Sequence, residues 1–290
     1  QITDNILKIN KRIKLNLGDV KYLLNPYDFT INIKTKNPLI LLEDRSLGIK
    51  DIQTNVALKS LINNLFSIED IQIRTREIKL NDVIALVRIF RNSPQLFILD
   101  TAIKDGLVVA NINLSFDESG NVKENYKIGG SVKKAKLNIL NQFKLENFNF
   151  NFNVQKSIYS LKQLDVKLNN IKVTSPLVEI KKKNNLFFVN AEFLNDKKNF
   201  DIEELRLIFA NIFNDIDIKK IEFSSKNNLS FNVNKNLKLN NFKAVSVINL
   251  NQLSLNEKHL RLKSYFPSFV EEVKFINHKS LTVNSYHNYC

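Results

Sequence analysis

The sequence lacks methionine and tryptophan altogether, and its one cysteine is the last residue, Cys290. A single cysteine excludes an internal disulfide and excludes a zinc site built from several cysteines. The chain begins with Gln1 rather than methionine. We therefore expect a segment of a longer protein, with any targeting signal or membrane anchor outside it.

Long hydrophobic runs are also missing. No apolar stretch approaches the roughly 18–20 residues that a membrane-spanning helix requires, so we expect no helix of this segment to cross a bilayer. Hydrophobic residues make up 43% of the chain and charged residues 25%, which is typical of a globular protein.

Acidic residues are in the minority. The chain has 43 Lys and Arg against 29 Asp and Glu, a formal net charge of +14. This excess is typical of a solvated Lys- and Asn-rich surface, and equally of a surface that attracts nucleic acid or acidic lipid head groups. The basic residues are spread along the chain and alternate with apolar ones, which argues against a compact DNA-binding patch. We therefore expect no nucleic-acid partner.

The residue patterns that carry catalysis are absent. Gly129-Gly130 lacks the further glycines and the Lys-Ser/Thr of a phosphate loop. His259, His278 and His287 do not have the spacing of helical metal ligands, and Cys290 at a chain end is a poor nucleophile candidate. We expect no enzymatic activity, no metal and no cofactor.

The dominant pattern is an alternation of apolar and polar residues. Phe148, Phe150, Phe152 and Val154 alternate with asparagines, which predicts a strand with one apolar and one polar face. The same alternation predicts strands beginning at Phe29 with Ile31 and Ile33, around Ile71–Ile73, and over three further sets of residues: Ala110, Ile112, Leu114 and Phe116; Leu164, Val166 and Leu168; and Leu229, Phe231 and Val233.

Turn residues separate these strands at short intervals. Asp117-Glu118-Ser119-Gly120-Asn121 predicts a hairpin loop, because Gly120 can take a positive φ without steric cost. Lys183-Asn184-Asn185 and Lys226-Asn227-Asn228 predict tight turns, because Asn tolerates the left-handed region. The sequence therefore predicts a mainly antiparallel meander.

Helix is predicted chiefly over Asn81–Asp105. Ser93-Pro94 divides this stretch, because Ser suits the N-cap and Pro the first helical position, so we expect two consecutive helices. Gly106 is expected to cap the second helix. A weaker helix is predicted over Asp201–Phe213, and a short helical turn around Leu58–Leu65.

Corner residues are scarce, with only 6 Gly and 5 Pro in the chain. We therefore predict a mainly β fold: one long antiparallel sheet, curled into an elongated hydrophobic groove, over residues 1–290 as a single segment. A sandwich or barrel with a sealed core remains the alternative, since it would give the same alternation.

An apolar trough requires an apolar occupant, and acyl chains need only a dry, non-directional lining. We expect phospholipid acyl chains as the partner. The predicted lining consists of Phe148, Phe150, Phe152, Val154, Ala110, Ile112, Leu114, Phe116, Leu164, Val166, Leu168, Phe231 and Val233.

Several segments resemble a known family. They are the strand Ile68–Ile73 with Val56–Leu61 before it, the helix pair over Leu80–Ile103, and Tyr126–Val132. Over residues 25–290 the pattern is similar to the AsmA-like family, of the AsmA, TamB and YhdP type, as found in small marine α-proteobacteria. The resemblance implies a periplasmic, inner-membrane-anchored protein with a hydrophobic β-groove that supports outer-membrane biogenesis by phospholipid transport. The alternative is a structural or interaction scaffold with a sealed core and no ligand.

Overall fold

The computed structural model describes residues 13–42, 45–58, 62, 68–90, 93–139, 143–200, 202–203, 205–206, 218–234, 236, 238–256, 272–276 and 281–287. The chain is mainly β, with a long antiparallel sheet that is not closed and a pair of helices, as predicted. The strands are β1 Ile13–Asn16, β2 Asp19–Asn25, β3 Thr30–Lys36, β4 Leu39–Leu42, β5 Arg45–Ala57, β6 Ile68–Thr75, β7 Ile78–Lys79, β8 Ile103–Ser115, β9 Lys127–Ile139, β10 Phe143–Gln155, β11 Ile158–Leu168, β12 Ile171–Lys183, β13 Leu186–Phe200, β14 Ile218–Asn234, β15 Leu239–Asn256, β16 Glu272–Ile276 and β17 Leu281–His287.

The chain divides into two compact units. Unit 1 comprises residues 1–137 and 149–160, and unit 2 comprises residues 138–148 and 161–290. Strands β9, β10 and β11 therefore contribute residues to both units.

Unit 1 is an antiparallel ladder of hairpins. β2 pairs with β3, β3 with the second half of β5, β5 with β6, β6 with β8, and β8 with β9. β4 pairs with the first half of β5 and also with β1, so the long strand β5 pairs with three strands, β3, β4 and β6. Phe29, predicted as the start of a strand, instead lies in the turn before β3 with a φ of 50°.

The helix pair lies where the sequence predicts it. Helix α1 runs over Leu80–Phe90 and helix α2 over Pro94–Ala102. Ser93 is the N-cap of α2: its Oγ accepts a hydrogen bond from the Leu96 amide at 3.4 Å. The predicted cap at Gly106 is wrong, because α2 ends three residues earlier than predicted, at Ala102, and the chain enters β8 at Ile103.

Instead of capping the helix, Gly106 lies within β8, close to the neighbouring strand β9. Its φ is +142°, and a Cβ placed there would lie 3.0 Å from both Cα and Cβ of Ala135 on the neighbouring strand β9. A glycine at this position permits a close approach of two strands.

Unit 2 is a second antiparallel ladder. β12 pairs with β13, β13 with β14, and β14 with β15, which pairs in turn with both β16 and β17. The turn predicted at Lys226-Asn227-Asn228 is wrong, because these residues lie inside β14 and are paired on both sides. The turn at Asn184 and the loop over Asp117–Asn121 are as predicted.

Asparagine and other polar residues, rather than glycine, supply much of the left-handed backbone. Asn169, Asn170 and Asn184 take positive φ in turns between strands. Lys134, Asn147 and Gln163 take φ values of 51°, 49° and 52° inside β9, β10 and β11. These three residues mark irregularities in otherwise regular strands. The asparagines in the turns explain how strands are connected with so little glycine.

Two predicted helical stretches are described only in part. Leu58 and Ile62 are helical, as are Ile202, Glu203, Leu205 and Arg206. The remaining residues of Leu58–Leu65 and Asp201–Phe213 lie outside the described residues.

Candidate functional site: half-buried apolar faces

The register of unit 1 places apolar side chains on one face across several strands. Directly opposed residues of antiparallel strands share a face. One such row runs through Thr35, Ile52, Ile73, Ile112 and Ile128 on five neighbouring strands. We call the wider set the unit 1 stripe; it consists of Ile31, Ile33, Ile52, Val56, Ile71, Ile73, Ala110, Ile112, Leu114 and Ile128.

The burial of this face changes from one end to the other. At the end nearest the helix pair Val108 is only 6% exposed, and Leu47, Ile49, Ile78 and Val132 are buried with it. Every residue of the unit 1 stripe is half-buried, whereas Thr35 and Thr54 on the same face are buried. At the β2 end, Tyr22 is 69% exposed and Leu24 59% exposed. The end of the face near Val108 is therefore sealed, with Leu80 of α1 close to Gly106 there, and the apolar residues of the rest are partly accessible.

The opposite face of the same strands is polar and internally hydrogen-bonded. The side-chain amide of Asn32 donates to Asn55 Oδ1 at 2.8 Å, and that of Asn55 donates to Asp70 Oδ2 at 2.9 Å. Arg74 Nε donates to Asp51 Oδ1 at 2.9 Å. These polar groups have partners within the sheet, whereas burial by a ligand would remove the apolar face from water.

The phenylalanine-rich strand contributes to the same face of unit 1. The ring of Phe152 lies over Gly130, which is opposite Ala110 of the stripe. Phe150 and Phe152 meet edge to face, with ring centroids 6.5 Å apart. The structure thus brings together Phe152 and Ala110, two members of separately predicted sets.

Unit 2 has a comparable face. Phe187, Val189 and Ala191 of β13 oppose Val233, Phe231 and Leu229 of β14. All are half-buried except Ala191, which is buried. The rings of Phe231 and Phe242 lie 6.3 Å apart.

Unit 2 also has a sealed part. Ile171, Phe200, Leu205, Ile218 and Ile221 form a buried cluster, with the rings of Phe200 and Phe223 stacked at 4.4 Å. Leu205, from the partly described helical stretch, is among the most completely buried residues here.

Polar side chains lie between the two parts of the unit 2 face. Ser225 and Asn227 follow Ile221 and Phe223 on alternate positions of β14, before Leu229. Ser225 Oγ donates to Asn195 Oδ1, and Asn227 donates to Ser225 Oγ at 2.9 Å. The half-buried apolar residues of unit 2 are therefore separated from its sealed core by a hydrogen-bonded polar row.

The predicted lining residues fall into two groups by burial. Leu164 and Val166 are buried, which places them in packed interior. The others are half-buried: Phe148, Phe150, Phe152, Val154, Ala110, Ile112, Leu114, Phe116, Leu168, Phe231 and Val233.

Several stripe residues were not among the predicted lining. Ile52 and Val56 are separated by Thr54, which lies on the same face, so the apolar alternation of β5 is weakened in the sequence. Thr has a high propensity for β-strands. Counting it as compatible with an apolar face would have revealed the row through β3, β5 and β6.

Perturbed titratable groups lie in the hairpin loops. Hydrogen bonds from the backbone and side chain of Asn121 hold the pKa of Asp117 below its ordinary value. A hydrogen bond and ion pair with Glu124 raise the pKa of Lys156. Within the part of the chain that the structure describes, no three His, Cys, Asp or Glu residues are placed to hold a metal ion.

Among the described helices, none has the length and apolar character needed to cross a bilayer. No protein-family model, curated protein or solved structure matches this chain.

Proposed function

We propose that this chain is a non-enzymatic lipid-binding or lipid-conducting protein whose half-buried apolar faces hold acyl chains. The observation that supports this most directly is the unit 1 stripe, whose apolar residues continue in register across five strands and are all half-buried. Soluble proteins rarely leave a contiguous apolar surface of this kind accessible unless it binds something.

The dimensions of the stripe suit an acyl chain. Strands in a sheet are spaced about 4.8 Å apart, so a row across five strands spans roughly 19 Å. One leaflet of a bilayer contributes about half of a hydrocarbon core roughly 30 Å thick. Each methylene removed from water contributes about 0.8 kcal/mol, so a chain along this row gains affinity without any directional contact.

The biological setting of the proposal comes from the resemblance to the AsmA-like family. On that basis the protein is periplasmic, is held at the inner membrane by a segment outside this chain, and supports outer-membrane biogenesis by phospholipid transport. The cationic surface suits acidic head groups, because its net charge is +14.

A second candidate is a structural or interaction scaffold with no ligand. The buried clusters around Val108 in unit 1 and Ile221 in unit 2 favour it, because each is a packed core of its own. On that alternative the unit 1 stripe binds no ligand, and lipid does not stabilise the protein.

Native mass spectrometry of the purified chain tests the proposal. We expect mass increments that correspond to co-purified phospholipid and that disappear after delipidation and return on adding phospholipid. A chain that never carries lipid, before or after addition, would favour the scaffold.

A further inference from the structure

The hairpin of β2 and β3 carries an unusual concentration of exposed apolar side chains. Tyr27 is 93% exposed, Leu23 70% and Phe29 68%, beside the exposed Tyr22 and Leu24. Leu23 and Leu24 are consecutive in β2 and therefore point to opposite faces, so the apolar surface surrounds the hairpin rather than extending one face only.

The turn that presents these residues is held by local hydrogen bonds. The Tyr27 amide donates to Asn25 Oδ1 at 3.1 Å, and the Asn25 side-chain amide donates to Asp28 Oδ2 at 2.7 Å. Phe29 has a φ of 50°, a conformation unfavourable for a bulky residue, and its carbonyl accepts a hydrogen bond from the Leu58 amide at 2.9 Å. The fold therefore maintains a strained backbone while leaving the Phe29 ring in solvent.

Below the apolar tip lies a rung of two lysines. Going down the hairpin, the rungs are Asn25–Thr30, Leu24–Ile31, Leu23–Asn32, Tyr22–Ile33 and then Lys21–Lys34. Like charges directly opposite each other destabilise an antiparallel pair. In the other rung of this hairpin that has two charged residues, Asp19–Lys36, the charges are opposite. The like-charged rung is the one nearer the apolar tip.

We propose that this hairpin docks on the surface of a bilayer that contains anionic lipid. Four rungs at about 3.3 Å each place the lysines roughly 13 Å from the turn. Apolar surface inserts about 5–10 Å at an interface, so the lysines reach the head groups while the tip enters the acyl boundary. Anionic head groups would also relieve the repulsion between Lys21 and Lys34.

A strand added along the edge of β2 fits less well. Tyr27 and Phe29 lie beyond the last rung, Asn25–Thr30, so an added strand would cover neither of them. A membrane surface covers both faces of β2 and the turn together. The inference does not rest on lipid binding by the unit 1 stripe or the unit 2 face, because docking requires only the hairpin.

The absence of tryptophan makes a direct test possible. In Tyr27→Trp the new indole is the single tryptophan of the chain. We expect its emission to shift to the blue with vesicles of phosphatidylcholine plus phosphatidylglycerol, and to be quenched by brominated acyl chains. Ile158→Trp, at the start of another hairpin, is the matched control and should keep the emission of a residue in water.

Co-sedimentation with the same vesicles tests the two components of the tip separately. Tyr27→Ser with Phe29→Asn removes both rings, and Asn suits the positive φ at position 29; we expect binding to fall at least tenfold. Lys21→Gln with Lys34→Gln should weaken binding roughly thirtyfold, at about fivefold per lysine. The control Lys182→Gln with Lys183→Gln removes two exposed lysines from a different hairpin and should weaken binding far less.

The proposal is overturned if Tyr27→Trp emission is unchanged by anionic vesicles, or if tip variants bind as the unmodified chain does. It is also overturned if the tip variants instead abolish a concentration-dependent dimer, since the occupant would then be a second copy. Lipid retention in native mass spectra of the same variants measures lipid binding by the unit 1 stripe and the unit 2 face, independently of docking.

Discussion

The ring of Phe152 occupies the space above Gly130, across β9 and β10 in unit 1. A Cβ placed on Gly130 would lie 2.8 Å from Cζ of Phe152 and 2.1 Å from the carbonyl oxygen of Val109. An aromatic ring over a glycine covers backbone that has no side chain of its own. This contact fixes the position of one predicted lining residue relative to the unit 1 stripe.

Gly130→Ala should therefore lower the free energy of unfolding by about 3 kcal/mol, because both neighbours are too close and one of them is backbone. Urea unfolding measures the change. Gly129→Ala is the matched control: its Cβ would meet only the Phe152 carbonyl oxygen, at 3.6 Å, and stability should be unchanged or slightly raised. Equal stability of the two variants would contradict the close packing described above.

Phe150→Asp should leave the chain folded but deprived of lipid, because a charge on the half-buried face disfavours acyl chains while water can still reach it. Circular dichroism and native mass spectrometry measure the two effects. Leu47→Asp places the same charge in the sealed end and should unfold the protein. Asn113→Asp, on the exposed polar face, should keep both fold and lipid. Unfolding by Phe150→Asp of a chain that carries no lipid would indicate a sealed core.

Arg74→Ala should lower the free energy of unfolding by about 1–3 kcal/mol, because it leaves the buried Asp51 carboxylate without its charged partner. Adding Asp51→Asn should recover part of this loss by removing the unpaired charge. Lys133→Ala is the control: Lys133 and Glu77 lie 3.8 Å apart and are both more than half exposed, so less than about 0.5 kcal/mol is expected. Thermal or urea unfolding that ranks Lys133→Ala as the more harmful change would refute this assignment.

The carboxyl of Asp117 should titrate below its ordinary pKa, because the Asn121 backbone amide, the Asn121 side chain and the Ser119 amide all donate to its charged form. A depressed pKa in the folded state stabilises the fold above the unfolded value, and this contribution is lost as pH falls below about 4 and through the folded value. Carboxyl-carbon NMR titration measures it directly. Asn121→Ala should raise the pKa only part of the way, since the backbone donor remains; titration of Asp117 at or above its ordinary value would disprove the loop geometry.

Much of the local structure follows from neighbouring residues. Ser93-Pro94 determines where α2 begins. The Ser93 side chain accepts a hydrogen bond from the Leu96 amide, and Pro94 lacks only an amide hydrogen that would have no partner within the first turn. The alternation in Ala110–Phe116 and Phe148–Val154 determines which residues share a face, because successive strand residues point to opposite sides. The end of α2 did not follow in the same way: Ile103 and Lys104 have no helix-breaking character, and the pairing of β8 with β9 draws them into a strand.

Long-range pairing also decided where turns do not occur. Lys226-Asn227-Asn228 has the composition of a turn, yet β13 and β15 bond to it on both sides, and ladder hydrogen bonds outweigh the local preference of asparagine. Whether a segment with the composition of a turn forms a turn or a strand cannot be predicted without knowing which strands pair with it.

The sequence by itself determined the fold class, the helix pair and the division of each strand into an apolar and a polar face, because all three depend on residues close together along the chain. Tertiary structure alone decided which apolar residues are sealed. Val108 and Ile112 lie in the same strand at alternate positions on one face, yet Val108 is buried and Ile112 is half-buried. The helix pair packs against the end of β8 nearer Val108: Leu80 lies close to Gly106, and the Asn81 side-chain amide donates to the Ile103 carbonyl. Burial depends on what lies above a residue, and residues distant in the chain provide that cover.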